Sequence, residues 1–409
     1  MRLRRSSRHA IIDVELRGQP TLKVPAGADG LTVVLRRNGQ VAGFELDALQ
    51  AGRRPNYGSF FLAVRRSIST ALEYEIAREL GGPPPGRTCP TVTIAICTHN
   101  QPVRMERCLA ALAQMDTTGL PLPEILVVDN APPDQATADV VTRFPGIRYA
   151  AEPRQGLDFA RNRAIAVATG DILAYLDDDV VVDRHWYSAL SEAFVRDSGV
   201  AGVSGILLPF ALETRAQLLF ERRGGFRRGL EYRRFEGQDL PGNPLYPCGA
   251  GIFGTGGNMA FRRELLQELG GFDEALDTGK PLPGGGDLDM YYRMIRAGHV
   301  LVYDPRVVAF HEHRRTLAQL RRQYWTWGTG FMAYARKSFL ADPPLRPRWR
   351  RMVAWWFTDQ VKRFLLSCVG RNPTPPGMVL TELAGGLFGF AGEYERSQRR
   401  VQRIRNTVP

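Results

Sequence analysis

Three adjacent carboxylates, Asp177, Asp178 and Asp179, are the residues of this chain best suited to chemistry. They follow directly after the apolar run 172–176, which predicts a buried strand that delivers them at its carboxyl end. Because neighbouring carboxylates repel one another, the triplet is costly unless a cation binds there. Mg²⁺ and Mn²⁺ prefer oxygen ligands, so the triplet predicts a divalent-metal site, with an ordinary acidic turn as the alternative.

Two further polar segments follow predicted strands earlier in the chain. Thr98 and Asn100 come shortly after one apolar run, and Asp129 and Asn130 come directly after the next. Since the carboxyl ends of parallel strands meet at one edge of a sheet, we expect these side chains and the acidic triplet to form a polar rim that binds a nucleotide. Neither GxGxxG after the first strand nor GxxxxGK[ST] is present, which disfavours a dinucleotide-dependent dehydrogenase and a P-loop enzyme.

Composition and periodicity divide the chain into four segments. The N-terminal part has strand-like runs at 11–16, 21–24 and 31–35, a hairpin signal at Asn38-Gly39 and a predicted helix at 59–80. A proline-rich stretch follows, and from residue 91 strands alternate with helices, as in an α/β protein with a parallel sheet. We therefore expect a small β-rich accessory domain with a helix at 1–82, a linker at 83–90, an α/β domain at 91–335 and a helical extension at 336–409.

The overall composition is that of a soluble globular protein, with 44% hydrophobic and 23% charged residues in a chain of 409. An excess of 54 basic over 42 acidic residues favours anionic partners such as phosphorylated ligands or an anionic membrane face. Nucleic acid is not expected, because neither zinc-finger spacing nor an RNP-like strand is present. Five cysteines without a CxxC spacing favour a reducing, cytoplasmic compartment, and the lack of an 18-residue apolar run argues against a spanning helix.

Six short motifs follow one another in an order that resembles family 2 glycosyltransferases. They are found at 94–100, 126–130, 156–162, 176–179, 256–262 and 284–289. The resemblance implies a GT-A fold, a Rossmann-like mixed α/β sheet, and inverting transfer of a sugar from a nucleoside diphosphate sugar of the UDP, GDP or dTDP type. It also implies a divalent metal, Mn²⁺ or Mg²⁺, and an acceptor that is a glycan, a lipid-linked sugar or a small molecule.

The resemblance assigns roles to residues by their positions in these motifs. In the family, the Asp at the position of Asp287 is the general base for the acceptor hydroxyl. The implied nucleotide contacts are Thr98, Asn100, Asp129, Asn130, Arg161 and Asp178. The implied metal ligands are Asp177, Asp179 and His311. The implied contacts to donor or acceptor sugar are Gly256, Gly257, Asn258, Asp289 and Trp327.

The chain departs from the family pattern at three positions. Gly286 stands where a Glu usually precedes the base, Asn130 replaces a second acid, and Thr326 replaces the Arg of the QxxRW element of processive relatives. Two alternatives stay open. One is a sugar-1-phosphate nucleotidyltransferase, which also uses a nucleotide-binding sheet and metal carboxylates. The other, favoured by Gly286, is a catalytically weak carbohydrate-binding member of a glycan assembly complex.

A predicted C-terminal helix at 352–369 carries a broad aromatic and apolar face with basic residues beside it. Trp together with Arg and Lys favours a peripheral position at a membrane interface, which fits a lipid-linked acceptor. A core helix or a dimer helix is the alternative, and the packing of the helix distinguishes the two.

Overall fold

The computed structural model describes residues 8–16, 24–50, 76, 80 and 88–407. The predicted helix at 59–80 lies outside these residues except for Ile76 and Leu80, and the strand predicted at 21–24 lies outside them except for Val24. Most of the predicted linker, 83–87, also lies outside the described residues.

The described part of the N-terminal segment is a small three-stranded sheet. Its strands are β1 (His9–Glu15), β2 (Gly30–Arg37) and β3 (Gln40–Gln50). β1 runs parallel to β2, and β2 runs antiparallel to β3 through a tight turn. The turn residues Asn38 and Gly39 have φ angles of 52° and 79°, which a primed two-residue hairpin requires, so the hairpin prediction is confirmed.

A nine-stranded mixed sheet forms the centre of the molecule. Its strands are β4 (Val92–Thr98), β5 (Glu124–Asn130), β6 (Ile147–Glu152), β7 (Ile172–Asp177), β8 (Val180–Val182), β9 (Val200–Pro209), β10 (Arg233–Phe235), β11 (Asn258–Arg262) and β14 (Val300–His311). The spatial order is β10-β14-β9-β11-β7-β4-β5-β6, with β8 paired to β14. β11 is antiparallel to both neighbours, so the sheet is mixed, as the GT-A resemblance implies. A separate hairpin pairs β12 (Asp277–Gly279) with β13 (Leu282–Pro283).

Helices cover both faces of this sheet and form the C-terminal region. They are α1 (Pro102–Leu112), α2 (Ala136–Thr142), α3 (Leu157–Val167), α4 (Trp186–Arg196), α5 (Arg215–Arg222), α6 (Arg263–Glu268), α7 (Gly286–Arg296), α8 (Leu317–Ala341), α9 (Arg346–Cys368), α10 (Pro376–Phe390) and α11 (Glu393–Thr407). Short 3₁₀ turns occur at Ala250–Ile252 and Pro343–Leu345. α8 starts at a capping box in which Thr316 and Gln319 bond each other's backbone, and it continues past the predicted domain boundary at 335/336.

The register of the parallel strands brings the predicted polar residues to one edge. Thr98 at the end of β4 pairs with Asp129 on β5, and Cys97 pairs with Asp177 on β7. The strands themselves are buried on both faces, as their apolar runs predict. The rim expected from the sequence therefore exists in the fold.

The N-terminal sheet packs against the central domain through polar and aromatic contacts. Arg36 pairs with Asp183 at 2.7 Å, and Asp47 receives two hydrogen bonds from Arg222 at 2.9 and 3.0 Å. Phe44 of β3 belongs to the main hydrophobic core. The small sheet is thus joined to the domain that carries the polar rim.

The C-terminal helices pack tightly on one another. α10 lies against α8, and a Cβ added at Gly328, Gly385 or Gly389 would overlap the backbone of the neighbouring helix. Only glycine permits this close approach. In the part of the chain that the structure describes, no helix is both long and apolar enough to cross a membrane.

Candidate functional site

The acidic triplet occupies the carboxyl end of β7 and the turn into β8, where its three members have different surroundings. Asp177 lines a cavity, and Asp178 accepts a 2.7 Å hydrogen bond from Thr98 Oγ1. Burial and the charge of Asp179 raise the pKa of Asp177 to about 6 and that of Asp178 to about 7. Two of the three acids thus ionise less readily than a free aspartate, and a bound cation would favour their charged form.

Asp179 is held as an anion by three neighbours. His311 Nε2 lies 3.3 Å from Asp179 Oδ1, while Arg314 Nη1 and Arg104 Nη1 lie 3.3 and 3.7 Å from Oδ2. Burial alone would raise the pKa of Asp179, but His311 and the two arginines bring it below its usual value. A metal bound to Asp179 would therefore replace an arginine as the partner of Oδ2.

A buried chain of side chains fixes His311 from behind. Its Nδ1 lies 2.9 Å from Nδ1 of His313, whose Nε2 lies 2.7 Å from Glu221 Oε1. Glu221 Oε2 in turn lies 3.0 Å from Arg227 Nε. Burial lowers the pKa of His311 to about 3, so the ring is neutral, which is the form of imidazole that binds metals.

The nucleotide side of the rim is built at the ends of β4 and β5. Asp129 Oδ2 accepts a 3.0 Å hydrogen bond from the Tyr149 hydroxyl, while its buried Oδ1 has no hydrogen-bond partner among the described residues. Burial raises the pKa of Asp129. Asn100 is exposed and has a φ of 53°, so its side chain projects from a left-handed turn after β4.

Asn130 uses its amide to hold the next loop. Its Nδ2 donates to the carbonyl of Arg154 at 2.7 Å, and its Oδ1 accepts from the amide of Gly156 at 2.9 Å. Both functional atoms of this side chain are therefore engaged with backbone that leads into α3. Asn130, which was assigned to a nucleotide contact, fixes this loop in the structure.

Arg161 of α3 is a buried cation surrounded by acids. Its Nη1 donates a 2.9 Å hydrogen bond to Asp158 Oδ1 and lies 4.0 Å from Asp277 Oδ2, and the charges of Asp177 and Asp287 also act on it. Burial raises the pKa of Asp158 to about 7 despite the ion pair, and raises that of Asp277 well above its usual value. The positive charge of Arg161 therefore acts on four carboxyl groups, those of Asp158, Asp277, Asp177 and Asp287.

Asp287 stands in the first turn of α7 and faces the cavity. Its Oδ2 accepts a 2.8 Å hydrogen bond from the amide of Gly256, and its Oδ1 accepts one of 2.9 Å from the amide of Leu288. A Cβ at Gly256 would lie 2.7 Å from Arg161 Nη2 and 3.2 Å from the Cβ of Asp287. Glycine at 256 therefore allows its loop to bridge the predicted base and the buried arginine.

The space beside Gly286 is already occupied. A Cβ at this position would overlap the carboxylate of Asp158. Asp158 is fully buried, and its Oδ2 has no hydrogen-bond partner among the described residues. A carboxylate from α3 therefore lies where the side chain of a Glu at position 286 would have to pass.

The predicted sugar contacts divide into two groups. Gly256, Gly257 and Trp327 line the cavity, and a Cβ at Gly257 would lie 2.8 Å from Asp177 Oδ2. The buried amide of Asn258 instead bonds Trp186 Nε1 and two backbone carbonyls, and the buried Asp289 pairs with Lys337 and Arg293. Neither Asn258 nor Asp289 lines the cavity, so both side chains support the site from behind.

The cavity has a volume of about 750 Å³ and two chemically different ends. Its charged end contains Arg161, Asp177, Asp277, Asp287, His311 and Arg314. Its apolar end contains Leu245, Ile252, Phe331, Met352, Trp355 and Trp356. Apolar walls with a few convergent polar groups are typical of binding sites for small molecules.

The charged end fits a divalent cation, although the protein alone does not surround one. No three His, Cys, Asp or Glu side chains of the described residues converge closely enough to hold a metal by themselves. Asp177 and His311 line the cavity with Asp179 beside them, and Gly257 leaves the space next to Asp177 open. Two carboxylates and a neutral imidazole suit Mn²⁺, and Mg²⁺ binds by one or two carboxylates plus phosphate oxygens.

Comparison with known proteins decides the family. A family model described as "Glycosyl transferase family 2" matches residues 93–270, which include the acidic triplet, Arg161 and the Gly256 loop. The segment 93–270, a little under half of the chain, is thus similar to glycosyltransferase family 2. The fold and the motif order of a family 2 glycosyltransferase are thereby confirmed for the segment that carries the rim.

Several proteins are similar to this chain. The pre-mycofactocin glycosyltransferase of Mycobacterium tuberculosis is 27% identical over 237 residues, which cover 58% of this chain and 45% of that protein. The succinoglycan biosynthesis protein ExoM of Rhizobium meliloti is 29% identical over 244 residues, covering 58% of this chain and 72% of that protein. The match therefore spans less than half the length of the first relative.

One solved structure is similar to this chain at low sequence identity. The mannosyltransferase PcManGT from Pyrobaculum calidifontis, in complex with GDP-Man and Mn²⁺, matches with a TM-score of 0.46 and 20% identity. The match covers 82% of this chain and 92% of that one.

Sequence reasoning missed four residues that the fold brings to the cavity or next to it. They are Asp158, Asp277, Arg228 and Arg314. Asp158 had one signal, an acid within the 156–162 motif of a chain that lacks the acid at 286. Asp277 begins the short strand β12 and Arg228 lies in an irregular segment, and the sequence does not specify the direction of either, so no signal pointed to them.

The buried carboxyl of Asp158 predicts a pH-dependent stability. Its pKa rises from 3.8 to about 7 on folding, so the folded state binds the proton more tightly than the unfolded state. The stabilisation is complete below pH 4 and is lost as the pH rises towards 7. Relative to an Asp158→Asn variant, the wild type should therefore lose up to about 1.4 kcal/mol of unfolding free energy per pH unit in that window. Urea unfolding from pH 4 to 8 measures the difference, and parallel curves would contradict it.

Proposed function

We propose that this chain is an inverting, metal-dependent glycosyltransferase that moves a sugar from a nucleoside diphosphate sugar to an acceptor hydroxyl. The observation that carries the proposal is the position of Asp287. Its carboxylate faces the same cavity as Asp177 and His311, and two backbone amides orient it. A base and a place for a diphosphate thus lie in one cavity, as an inverting transfer requires.

Asp287 is suited to accept a proton. The first turn of α7 favours a negative charge, and the amides of Gly256 and Leu288 leave further lone pairs of the carboxylate open to the cavity. In the proposed reaction the acceptor hydroxyl gives its proton to Asp287 while its oxygen bonds the anomeric carbon. The bond from that carbon to the diphosphate breaks at the same time, and its electron pair leaves with the phosphate oxygen.

Charged residues in and beside the same cavity suit the leaving group. Asp177, Asp179 and His311 would hold the divalent metal, and the metal would supply positive charge to the departing diphosphate. Arg314 lies beside Asp179 and lines the cavity, so it can turn from this carboxylate to a phosphate oxygen. Arg161 lies among four carboxyl groups, and its positive charge offsets their mutual repulsion around Asp287.

The nucleoside part is proposed to lie along the ends of β4 and β5. Thr98, Asn100, Asp129 and Asp178 form that rim, and the unpartnered Oδ1 of Asp129 is an acceptor for a ribose hydroxyl or a base amine. Asp178, which has a pKa of about 7 because of burial and Asp179, is a further partner for ribose.

The proposed location is the cytoplasm, with contact to the membrane at its inner face. All five cysteines are free thiols, and Cys97, Cys108 and Cys248 are buried. This usage fits a reducing compartment.

A donor panel tests the proposed function. The purified chain is incubated with Mn²⁺ and a set of UDP-, GDP- and dTDP-sugars, and released nucleoside diphosphate is measured. We expect hydrolysis or transfer with one nucleotide class, and a loss of roughly 10²-fold or more after metal removal with EDTA, because the metal contributes several kcal/mol of charge stabilisation. Added Mn²⁺ should restore the wild type but not an Asp179→Ala variant.

The exposed Asp139→Ala on α2 is the matched control and should behave as the wild type. Exchange of pyrophosphate into the donor would instead support a sugar-1-phosphate nucleotidyltransferase. A chain that binds sugars but turns over no donor would support the carbohydrate-binding alternative. Full activity of Asp179→Ala would remove the metal assignment.

A further inference from the structure

Helices α9 and α10 leave an apolar face uncovered beside the cavity. On α10, Leu380, Leu387 and Phe390 are 45%, 55% and 53% exposed. On α9, Trp355 and Leu365 are 49% and 59% exposed. Single exposed apolar side chains are common on soluble proteins, whereas a grouped set of this size marks an interaction surface.

The exposed positions form a regular stripe on a well-packed layer. On α10 they are 377, 380, 384, 387 and 390, which recur every three or four residues and carry only Gly, Leu, Ala and Phe. The opposite side of α10 lies on α8, and the rings of Phe357 and Phe390, 6.3 Å apart, join α10 to α9. We refer to the exposed stripes of these two helices as the α9–α10 face.

Basic residues outnumber acidic ones on these two helices. Residues 346–390 contain seven Lys and Arg against two acids. Both acids are paired, Asp359 with Arg363 and Glu382 with Arg223. Exposed apolar residues on helices with an excess of positive charge suit the headgroups and acyl boundary of an anionic bilayer. A second copy suits the face less well, because a two-fold interface would bring the same basic residues towards one another.

The cavity opens onto this face. Trp355 is exposed and also lines the cavity, and Trp356, Met352 and Phe331 continue the apolar wall inward. The charged end with Asp287 belongs to the same cavity. An acceptor with an apolar tail could thus keep its tail at the face while its polar head reaches the base.

We propose that the α9–α10 face docks on an anionic membrane surface and that the cavity takes its acceptor, a hydroxyl carried on a lipid, from that membrane. The docking part stands by itself, and the acceptor part rests on the proposed function. The reaction is unchanged, since the lipid-borne hydroxyl loses its proton to Asp287 and bonds the anomeric carbon.

Vesicle binding tests the docking part. The full chain is mixed with phosphatidylcholine vesicles with and without phosphatidylglycerol, and the bound fraction is measured by sedimentation at low and high salt. We expect binding to the anionic vesicles only, weaker at high salt, and at least about tenfold weaker in the Leu380→Ser/Leu387→Ser variant. Val103→Ser/Leu122→Ser, which changes two side chains that are 80% and 82% exposed outside the C-terminal helices, should bind as the wild type.

Equal binding by all three proteins, or none by the wild type, would overturn the docking. A dimer that the Leu380→Ser/Leu387→Ser variant loses, without vesicle binding, would assign the face to a second copy instead. For the acceptor, a radiolabelled donor that the enzyme hydrolyses is incubated with membranes of the source organism. Label in the organic phase supports a lipid acceptor, and label only in water-soluble products overturns it. A chain that binds vesicles but hydrolyses no donor counts against the proposed function alone.

Discussion

Replacement of Asp287 by Asn should lower the rate of sugar transfer by on the order of 10³-fold while donor binding stays close to that of the wild type. Asn keeps the size of the side chain and can still accept the hydrogen bond from the Gly256 amide, but it cannot take a proton from the acceptor. Because Asp287 is not one of the proposed metal ligands Asp177, Asp179 and His311, the donor diphosphate should bind as before.

Two readouts separate loss of the base from loss of the fold. Transfer is measured as glycosylated product, and donor affinity is measured by calorimetry with the nucleoside diphosphate and Mn²⁺. Asp139→Asn, an exposed acid on α2, is the control for a change of one charge. Retention of more than a tenth of the transfer rate would show that another group removes the proton, and Asp277 on the same cavity wall would then be the next carboxyl to change.

Introduction of the Glu that is usual in the family should damage this protein. In Gly286→Glu the new side chain would overlap Asp158 and place a second buried carboxylate beside it, so we expect a loss of about 3 kcal/mol or more of unfolding free energy. Thermal and urea unfolding measure the loss, and the transfer rate should fall with it because Asp287 is the next residue.

Removal of Asp158 should rescue the Gly286→Glu variant. In Asp158→Ser/Gly286→Glu the space at α3 is free, and the Glu can approach Arg161 in place of the lost aspartate. The double variant should therefore be more stable than the sum of the single changes predicts, by 1 kcal/mol or more as is common for residues in contact. Strict additivity would mean that the two positions do not share one space.

The order of strands, the rim and the family were predictable from local patterns. Apolar runs followed by polar residues set which residues stand at the strand ends, and the parallel register then brings Thr98, Asp129 and Asp177 together. The register follows from the buried strands, because both faces of these strands must be covered. The sequence therefore predicted that the triplet lies at the same edge of the sheet as Thr98 and Asp129.

The direction of single side chains was not predictable in the same way. Asn258 and Asp289 stand in motifs that line the cavity, yet their side chains point into the protein, where Trp186 and Lys337 are their partners. A motif gives the position of a residue along the chain, but the partner that satisfies a buried polar atom comes from a distant segment. Asn130 shows the same effect, since its amide braces the loop before α3.

By itself the sequence determined the α/β order, the acidic triplet, the position of Asp287 along the chain and the similarity to family 2, because each depends on residues close together in the chain. Only the tertiary structure decided that Asp158 fills the place left by Gly286, since α3 and α7 meet through packing rather than through sequence. The same holds for the α9–α10 face, because burial against α8 selects which side of an apolar helix stays exposed. The local sequence determines which side chains a helix or strand carries. Packing against distant segments determines which of these side chains are buried and which face the cavity or the solvent.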